Sequence, residues 1–181
     1  MKRIGILIAA FFLITGFTEA QSRYYTKSGR ITFYSNAPLE DIEASTKTVA
    51  ALLDATTGTL QFSVVMKSFE FKKALMQEHF NENYIESDKY PKAEFLGSYT
   101  GDVNTAKEGK YPVQVKGQLT LHGVTKPVEV PATIEVKGSK LSGTTDFKVT
   151  PGDFNIQIPA LVREKIARQI DVHISVECNP K

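Results

Sequence analysis

The feature that most constrains this chain is an alternation of apolar and polar residues that returns along most of its length. In segment 30–35, Ile31 and Phe33 alternate with Arg30, Thr32 and Tyr34. Similar runs follow at residues 60–66, 113–121, 128–136, 141–149 and 170–178. Because successive side chains of a β-strand point to opposite faces, each run predicts a strand that buries one face.

Turn-forming residues bound these runs and predict short connections. They are Thr57-Gly58, Gly101-Asp102, Glu108-Gly109, Gly123, Gly138-Ser139 and Pro151-Gly152-Asp153. Short connections place consecutive strands side by side and antiparallel, and a long meander with one apolar face must be covered or close on itself. We therefore predict an all-β fold, an antiparallel barrel of roughly eight strands. A barrel filled with side chains or a two-sheet sandwich is the alternative that periodicity leaves open.

One segment has helical rather than strand periodicity. In FEFKKALMQEHFNENY, residues 69–84, apolar and aromatic residues recur at a spacing of four. This spacing predicts one inserted helix of about three turns from near Glu70 to Asn83, with Ser68 as its N-cap. A weaker helical turn is predicted in ALVREKIA, residues 160–167. No internal repeat or linker divides the chain, so we expect a single domain over residues 21–181.

The first twenty residues have the pattern of a cleaved secretory signal peptide. Lys2 and Arg3 precede an apolar stretch over residues 4–14, and Thr18-Glu19-Ala20 places small residues at the positions that flank a cleavage site. The apolar stretch is shorter than the roughly 20 residues that a membrane span requires. Gln21 follows the expected cut instead of a lipoprotein cysteine. We expect a periplasmic or secreted protein that is cleaved near Ala20.

Charge and cysteine content exclude several classes of function. The net charge is +2 and basic residues are mixed with acidic ones, so nucleic acid is not an expected partner. The single cysteine, Cys178, cannot form an internal disulfide, and its place in an alternating run predicts a small core residue. A transient membrane contact and a homodimer are both compatible with the sequence, which does not define the oligomeric state.

No motif of catalysis or metal binding stands out. The three histidines, His79, His122 and His173, lack the spacing of metal ligands, and no nucleophile elbow, phosphate-binding loop or dinucleotide fingerprint occurs. We predict no catalytic residue, no metal site and no cofactor. An enzyme that uses His79, His122 and Asp153 is kept as a minor alternative. His122 at a strand end is interpreted as a polar anchor that hydrogen-bonds loop backbone.

Large apolar residues are concentrated in and near the predicted helix. They are Phe62, Met66, Phe69, Phe71, Met76, Phe80, Tyr84 and Tyr90. Such residues bury much area without a polar partner, and methionine adapts to irregular guests. They form either ordinary core or the wall of a pocket for an apolar molecule that the helix partly covers.

Three separated segments carry motifs that are typical of one known family. KGQLTLHGVTKPVEV, residues 116–130, is similar to the most recognisable motif of the YceI-like family of exported barrels. HFNENYIESDKYPKAEF, residues 79–95, resembles its His-Leu and Lys-Tyr-Pro segments, and TTDFKVTPGDFNI, residues 144–156, resembles its Asp-Phe-Gly-Ile region. Asn155 stands where the family has glycine, and asparagine also tolerates a positive φ.

The resemblance implies a lipocalin-like barrel and a polyisoprenoid-type guest. The expected partner is a long-chain apolar lipid, such as an isoprenoid quinone, an isoprenyl phosphate or a fatty amide, and no catalysis is implied. A filled barrel that acts as a periplasmic interaction or stress-related module is the alternative function. Strand parity and closeness to the helix, not the family, select the candidate lining of a pocket. The candidates are Phe33, Phe62, Val64, Met66, Phe71, Leu75, Phe80, Tyr84, Leu119, Leu121 and Phe147.

Overall fold

The computed structural model of the protein describes residues 22–181, so the expected signal peptide over residues 1–20 lies outside the described residues. The described part is dominated by β-strands, with one short α-helix, α1, at Ala74–His79. The strands are β1 Arg23–Asn36, β2 Asp41–Asp54, β3 Thr59–Val65, β4 Glu70–Phe71, β5 Lys92–Thr100, β6 Gly109–Leu121, β7 Val124–Lys137, β8 Lys140–Val149 and β9 Ile170–Pro180.

Eight of these strands form a closed antiparallel barrel. Their order is β1-β9-β8-β7-β6-β5-β3-β2, and β1 pairs with β2 to close the ring. The two-residue strand β4 adds to the edge of β2 at Ala44 and Ser45. Closure satisfies the backbone groups that an open sheet would expose at its edges, which confirms the predicted all-β barrel.

The two ends of the barrel differ in the length of their connections. At one end, tight turns join β2 to β3 and β7 to β8, and both chain ends of the barrel lie there, because Tyr24 pairs with Leu53 and Pro180. At the other end lie the long connections, residues 66–91 between β3 and β5 and residues 150–169 between β8 and β9. We call residues 66–91 the insertion and this end the mouth end.

The helix prediction is wrong in its start and its cap. Glu70 and Phe71 form β4 instead of the first helical turn, and α1 begins at Ala74 after Lys73, which makes no side-chain cap. The Ser68 hydroxyl donates to the carbonyl of Val65 and so has no role as the N-cap of α1. Pairing of β4 with β2 prevails over helical spacing at this position. After α1 the chain continues in a π-helical turn at Phe80–Tyr84, and the weaker turn predicted near residue 160 is present as a 3₁₀ turn at Ala160–Val162.

Two clusters of buried side chains form the core. The first comprises Tyr24, Ala51, Leu53, Leu60, Tyr99, Val113, Ile134, Val136, Leu141, Val176 and Cys178. The second comprises Ala44, Val49, Val64, Met66, Phe69, Ile85, Phe154 and Ile156. The second cluster combines wall residues with residues of the insertion and of the β8–β9 connection, so burial of apolar area holds these long segments on the barrel.

The ladder between β7 and β8 is incomplete. The two strands pair only from Thr133 with Thr144 to Lys137 with Lys140. Beyond that point the Thr145 hydroxyl donates to the carbonyl of Pro131, 2.8 Å away, so the backbone polar groups of Pro131 point toward β8. Pro127, four residues earlier, points to the same side, and neither proline has an N–H to donate. The two prolines of β7 therefore limit the length over which β7 can pair with β8.

Candidate ligand cavity

The barrel encloses an elongated apolar cavity of about 570 Å³. The inward face of β9 contributes Ile170, Val172, Ile174, Val176 and Cys178, which shows that the cavity follows most of this strand. Eight residue steps correspond to about 26 Å along the strand, or about 20 Å along the axis of a barrel with tilted strands. The cavity therefore has the shape needed for an extended chain.

All eleven residues that strand parity and closeness to the predicted helix select line this cavity. They are Phe33, Phe62, Val64, Met66, Phe71, Leu75, Phe80, Tyr84, Leu119, Leu121 and Phe147. The parity argument places wall residues inside because a strand that buries one face sends every second side chain inward. Contact of these residues with a guest stays a prediction, which the experiments below address.

Four phenylalanines pack together where the insertion meets the wall. Phe33 on β1 lies 5.3 Å from Phe69, 5.8 Å from Phe71 and 5.5 Å from Phe80, measured between ring centroids. Phe71 and Phe80 are 5.0 Å apart, and all four rings line the cavity. These tilted and edge-on contacts fasten the insertion to β1.

Phe69 is a lining residue that the candidate set omitted. It is 3% exposed and directly follows the 3₁₀ turn Met66–Ser68, outside the alternating runs. The apolar and aromatic excess near the insertion was the one sequence signal that included it. Strand parity could not assign Phe69, because parity does not apply within a turn.

Charged and polar side chains are found on the wall of the cavity at its mouth end. Glu40, Lys73, His79 and Lys165 take part in the lining. Lys73 Nζ donates to Glu40 Oε1 at 2.6 Å, and this hydrogen bond lowers the pKa of the Glu40 carboxyl, with Lys165 contributing through its charge. The mouth therefore offers polar contacts near water, while the deeper wall is apolar.

His122 is a structural anchor beside the cavity. Its φ is 51°, and the side chain is 8% exposed. Nδ1 lies 3.0 Å from the carbonyl oxygen of Phe154, and Nε2 lies 2.8 Å from Oε2 of Glu86. The ring also packs edge-on against Tyr90, with centroids 4.4 Å apart. The interpretation of His122 as an anchor for loop backbone is confirmed.

The single cysteine lines the cavity, and a close pair of glycines lies in the wall where β5 pairs with β6. Cys178 is 2% exposed, as predicted for a core residue, and burial raises the pKa of its thiol to about 11. Gly97 of β5 pairs with Gly117 of β6, and the Phe95 ring lies against both. A Cβ atom at Gly117 would meet the Phe95 ring at 2.6 Å. Glycine is thus needed here so that two strands and an aromatic ring can approach closely.

The structure gives no sign of a metal site or of a membrane-crossing helix within residues 22–181. No three or more His, Cys, Asp or Glu side chains of this region are placed to hold a metal ion. None of its helices has the length and apolar character needed to cross a membrane.

Comparison with known protein families gives a match over nearly the whole chain. The model of the YceI-like domain matches residues 15–178. A UPF0312 protein of Pseudomonas putida is 33% identical over 101 residues, which cover 52% of this chain and 48% of the relative. One from Pseudomonas savastanoi is 29% identical over 105 residues, 54% of this chain and 49% of the relative. The matches thus span about half the length of these curated relatives.

Solved structures with the same fold have much lower sequence identity. A polyisoprenoid binding domain from Saccharophagus degradans has a TM-score of 0.76 at 13% identity, with 90% of this chain and 100% of that chain covered. BcnA from Burkholderia cenocepacia has a TM-score of 0.69 at 16% identity, with 82% and 95% covered. A Campylobacter jejuni YceI protein has a TM-score of 0.62 at 20% identity, with 76% and 84% covered. These similarities establish the shared barrel.

Proposed function

The chain belongs to the YceI-like domain family, and from this premise we propose that it is an exported carrier for one long-chain apolar lipid of isoprenoid type. The observation that carries the proposal is the apolar cavity of about 570 Å³ inside the barrel. This volume lies within the range of roughly 300–1,000 Å³ that is typical of ligand pockets. The name of the Saccharophagus degradans relative, a polyisoprenoid binding domain, supports the class of guest.

Burial of the guest chain supplies the affinity. Each CH₂ group that leaves water contributes about 0.8 kcal/mol, so an extended chain needs apolar walls more than polar contacts. The four phenylalanines and the inward face of β9 provide such walls. An isoprenoid quinone, an isoprenyl phosphate and a fatty amide all share the required apolar chain.

The role that we propose is binding without catalysis. Both ring nitrogens of His122 are already engaged, one by the carbonyl of Phe154 and one by Glu86. An enzyme that used His122 for proton transfer would need a free nitrogen of this imidazole near its substrate. His122 connects the segments of Phe154 and Glu86, and it has no free ring nitrogen to exchange a proton with a guest.

The alternative of a filled barrel is not compatible with the interior of this protein. A filled interior requires that no continuous space of roughly 300 Å³ or more remains. The cavity of about 570 Å³ exceeds that limit. We therefore do not retain a stress-related module that lacks a ligand site as a second function.

Native mass spectrometry of the gently purified protein tests the proposal. We expect a bound mass that solvent extraction releases, and re-uptake of a long-chain isoprenoid quinone by the extracted protein. Val64→Trp should abolish uptake, because Val64 is 7% exposed and faces the cavity. Val65→Trp is the matched control, since Val65 on the outer face is 44% exposed. A wild-type protein without guest or uptake, or a folded Val64→Trp variant with full uptake, would overturn the proposal.

Export is the second part of the proposal and has its own test. Its support is the charged, apolar and small-residue pattern of residues 1–20. We expect N-terminal sequencing of protein from the periplasm or the culture medium to begin at Gln21. A chain that begins at Met1 and stays in the cytosol would contradict this part alone.

A further inference from the structure

Three strongly exposed leucines belong to three separate segments at the mouth end. Leu161 is 96% exposed, Leu39 is 64% exposed and Leu75 is 61% exposed. Leu39 lies in the turn between β1 and β2, Leu75 on α1, and Leu161 in the 3₁₀ turn Ala160–Val162. Single exposed leucines are common on protein surfaces, but several around one opening indicate a contact surface.

Direct contacts hold these three segments around the same opening. The Leu39 N–H donates to the Glu164 carbonyl at 3.0 Å, and the Ala167 N–H donates to the Ser35 hydroxyl at 2.8 Å. The Lys73 ammonium, directly before α1, donates to Glu40 beside Leu39. Residues close in sequence to each of the three leucines line the cavity. They are Glu40, Ile42, Lys73, Met76, Val162, Lys165 and Ile166. Leu39, Leu75 and Leu161 therefore form a rim around the mouth, which we call the leucine rim.

The charges beside Leu161, the most exposed leucine of the rim, favour an anionic partner. The segment 159–168 carries Arg163, Lys165 and Arg168 against a single acid, Glu164, a net charge of +2. Two of the three acids at residues 40–43 of the neighbouring hairpin are matched by the insertion, since Glu40 pairs with Lys73 and Glu43 pairs with Lys72 at 2.7 Å. The most exposed leucine thus lies in the segment with the excess of basic side chains.

We propose that the leucine rim docks the barrel mouth on an anionic lipid bilayer. This inference rests on the proposed function, because a water-insoluble guest is dissolved in the membrane and must pass between bilayer and cavity. Leucines that enter the acyl boundary, together with basic side chains at the headgroups, are the combination by which peripheral proteins bind such surfaces. Leu75 belongs to both the rim and the cavity wall, so the docked mouth gives the guest a continuous apolar path.

Vesicle sedimentation tests the docking directly. Wild-type protein is mixed with phosphatidylcholine vesicles and with vesicles that also contain phosphatidylglycerol. We expect binding to the anionic vesicles that weakens with salt, and a loss of about tenfold or more in the Leu39→Ser/Leu161→Ser double variant. Arg163→Gln/Arg168→Gln should lose the preference for anionic vesicles. Leu96→Ser is the matched control, because Leu96 is 60% exposed on β5, away from the mouth, and should bind as the wild type does.

Two uptake assays separate this inference from the function on which it rests. The double variant should accept an isoprenoid quinone from detergent micelles as the wild type does, but should extract it more slowly from anionic vesicles. If neither protein accepts quinone from micelles while vesicle binding follows the leucines, the proposed function fails and the docking stands. Equal vesicle binding by wild type and double variant, or none by the wild type, would overturn the docking. A wild-type dimer that the double variant loses in analytical ultracentrifugation, without vesicle binding, would assign the rim to a second copy of the chain instead.

Discussion

The imidazole Nε2 of His122 lies 2.8 Å from the Glu86 carboxyl, while Nδ1 lies 3.0 Å from the Phe154 carbonyl. Because a backbone carbonyl only accepts hydrogen bonds, Nδ1 carries a hydrogen. The other ring nitrogen, Nε2, is engaged by the Glu86 carboxyl. One side chain thus connects the insertion, the β6–β7 hairpin and the turn that follows β8.

His122→Asn tests this connection. Asparagine tolerates the φ of 51° at this position but is too short to reach both partners. A loss of stability in this variant therefore reports the missing side-chain contacts and not backbone strain. We expect the free energy of unfolding to fall by about 2 kcal/mol in chemical denaturation, because the buried carbonyl of Phe154 is left without its hydrogen-bond partner. Amide exchange should accelerate in residues 66–91.

A second histidine serves as the control for that substitution. His173 Nδ1 contacts Asp146 Oδ1 at 2.7 Å on the outer surface, where the carboxyl is 81% exposed. Exposed ion pairs contribute little, so His173→Asn should change the free energy of unfolding by less than about 1 kcal/mol. Equal effects of the two substitutions would contradict a bracing role for His122.

The phenylalanine contacts predict a reduced affinity for the guest without loss of the fold. Phe33→Leu keeps an apolar side chain of similar size but removes the ring that meets Phe69, Phe71 and Phe80. Phe33 also lines the cavity, and an aromatic contact with the quinone ring would be worth about 0.5–1.5 kcal/mol beyond burial, so we expect about fivefold weaker quinone binding in a titration. Tyr34→Leu, on the opposite face of β1, should bind as the wild type does. Similar losses in both variants would argue against the cavity as the site.

The close approach of Gly97 and Gly117 predicts that one added methyl group lowers the free energy of unfolding markedly. The Cβ of Gly117→Ala would lie 2.6 Å from both the Phe95 ring and the Gly97 Cα. Overpacking of this kind lowers the free energy of unfolding by about 1–3 kcal/mol. Gly152→Ala is the control, because a Cβ there would meet nothing within 4 Å, and its effect should be under about 0.5 kcal/mol. A stable Gly117→Ala variant would show that the two strands can separate without cost.

Asp54 predicts a stability difference that depends on pH. The pKa of this carboxyl is lowered first by the Thr57 N–H and then by the Thr56 N–H and Arg23. A carboxyl with a lowered pKa in the folded state stabilises the protein above its unfolded pKa, and this contribution is lost as pH falls through the folded value. Wild type should therefore exceed Asp54→Asn in stability near pH 7, with the difference shrinking below about pH 4. A difference that is constant with pH in thermal unfolding would contradict this role.

The strands that the sequence predicted well are those that alternate cleanly between cavity and solvent. β9 alternates over its whole length and was identified, whereas β2 and β5 were not. In β2, small and polar residues such as Ala44 and Thr46 fill buried positions, and a change of register beside Gly29 interrupts the alternation. In β5, Leu96 faces outward with 60% exposure, which breaks the apolar pattern of the inner face.

The site was predictable where it depends on strand geometry and not where it depends on tertiary contacts. Val64 and Leu119 could be placed inside because alternation fixes the face of a strand residue. Phe69 and the start of α1 depend on how the insertion folds back on β2 and β1, which local periodicity does not encode. The leucine rim is likewise a property of three distant segments that only the closed barrel brings together.

The incomplete ladder between β7 and β8 gives the barrel a seam whose width is not fixed by backbone hydrogen bonds. Past Thr133 and Thr144 the regular pairing of β7 with β8 ends, and the hydrogen bond from the Thr145 hydroxyl to the Pro131 carbonyl joins the two strands. Widening at the seam therefore breaks few strong interactions, while the paired strands keep their register. We expect this part of the wall, at the mouth end, to be the part least constrained by backbone pairing, and Pro127 and Pro131 make this a property of the primary structure.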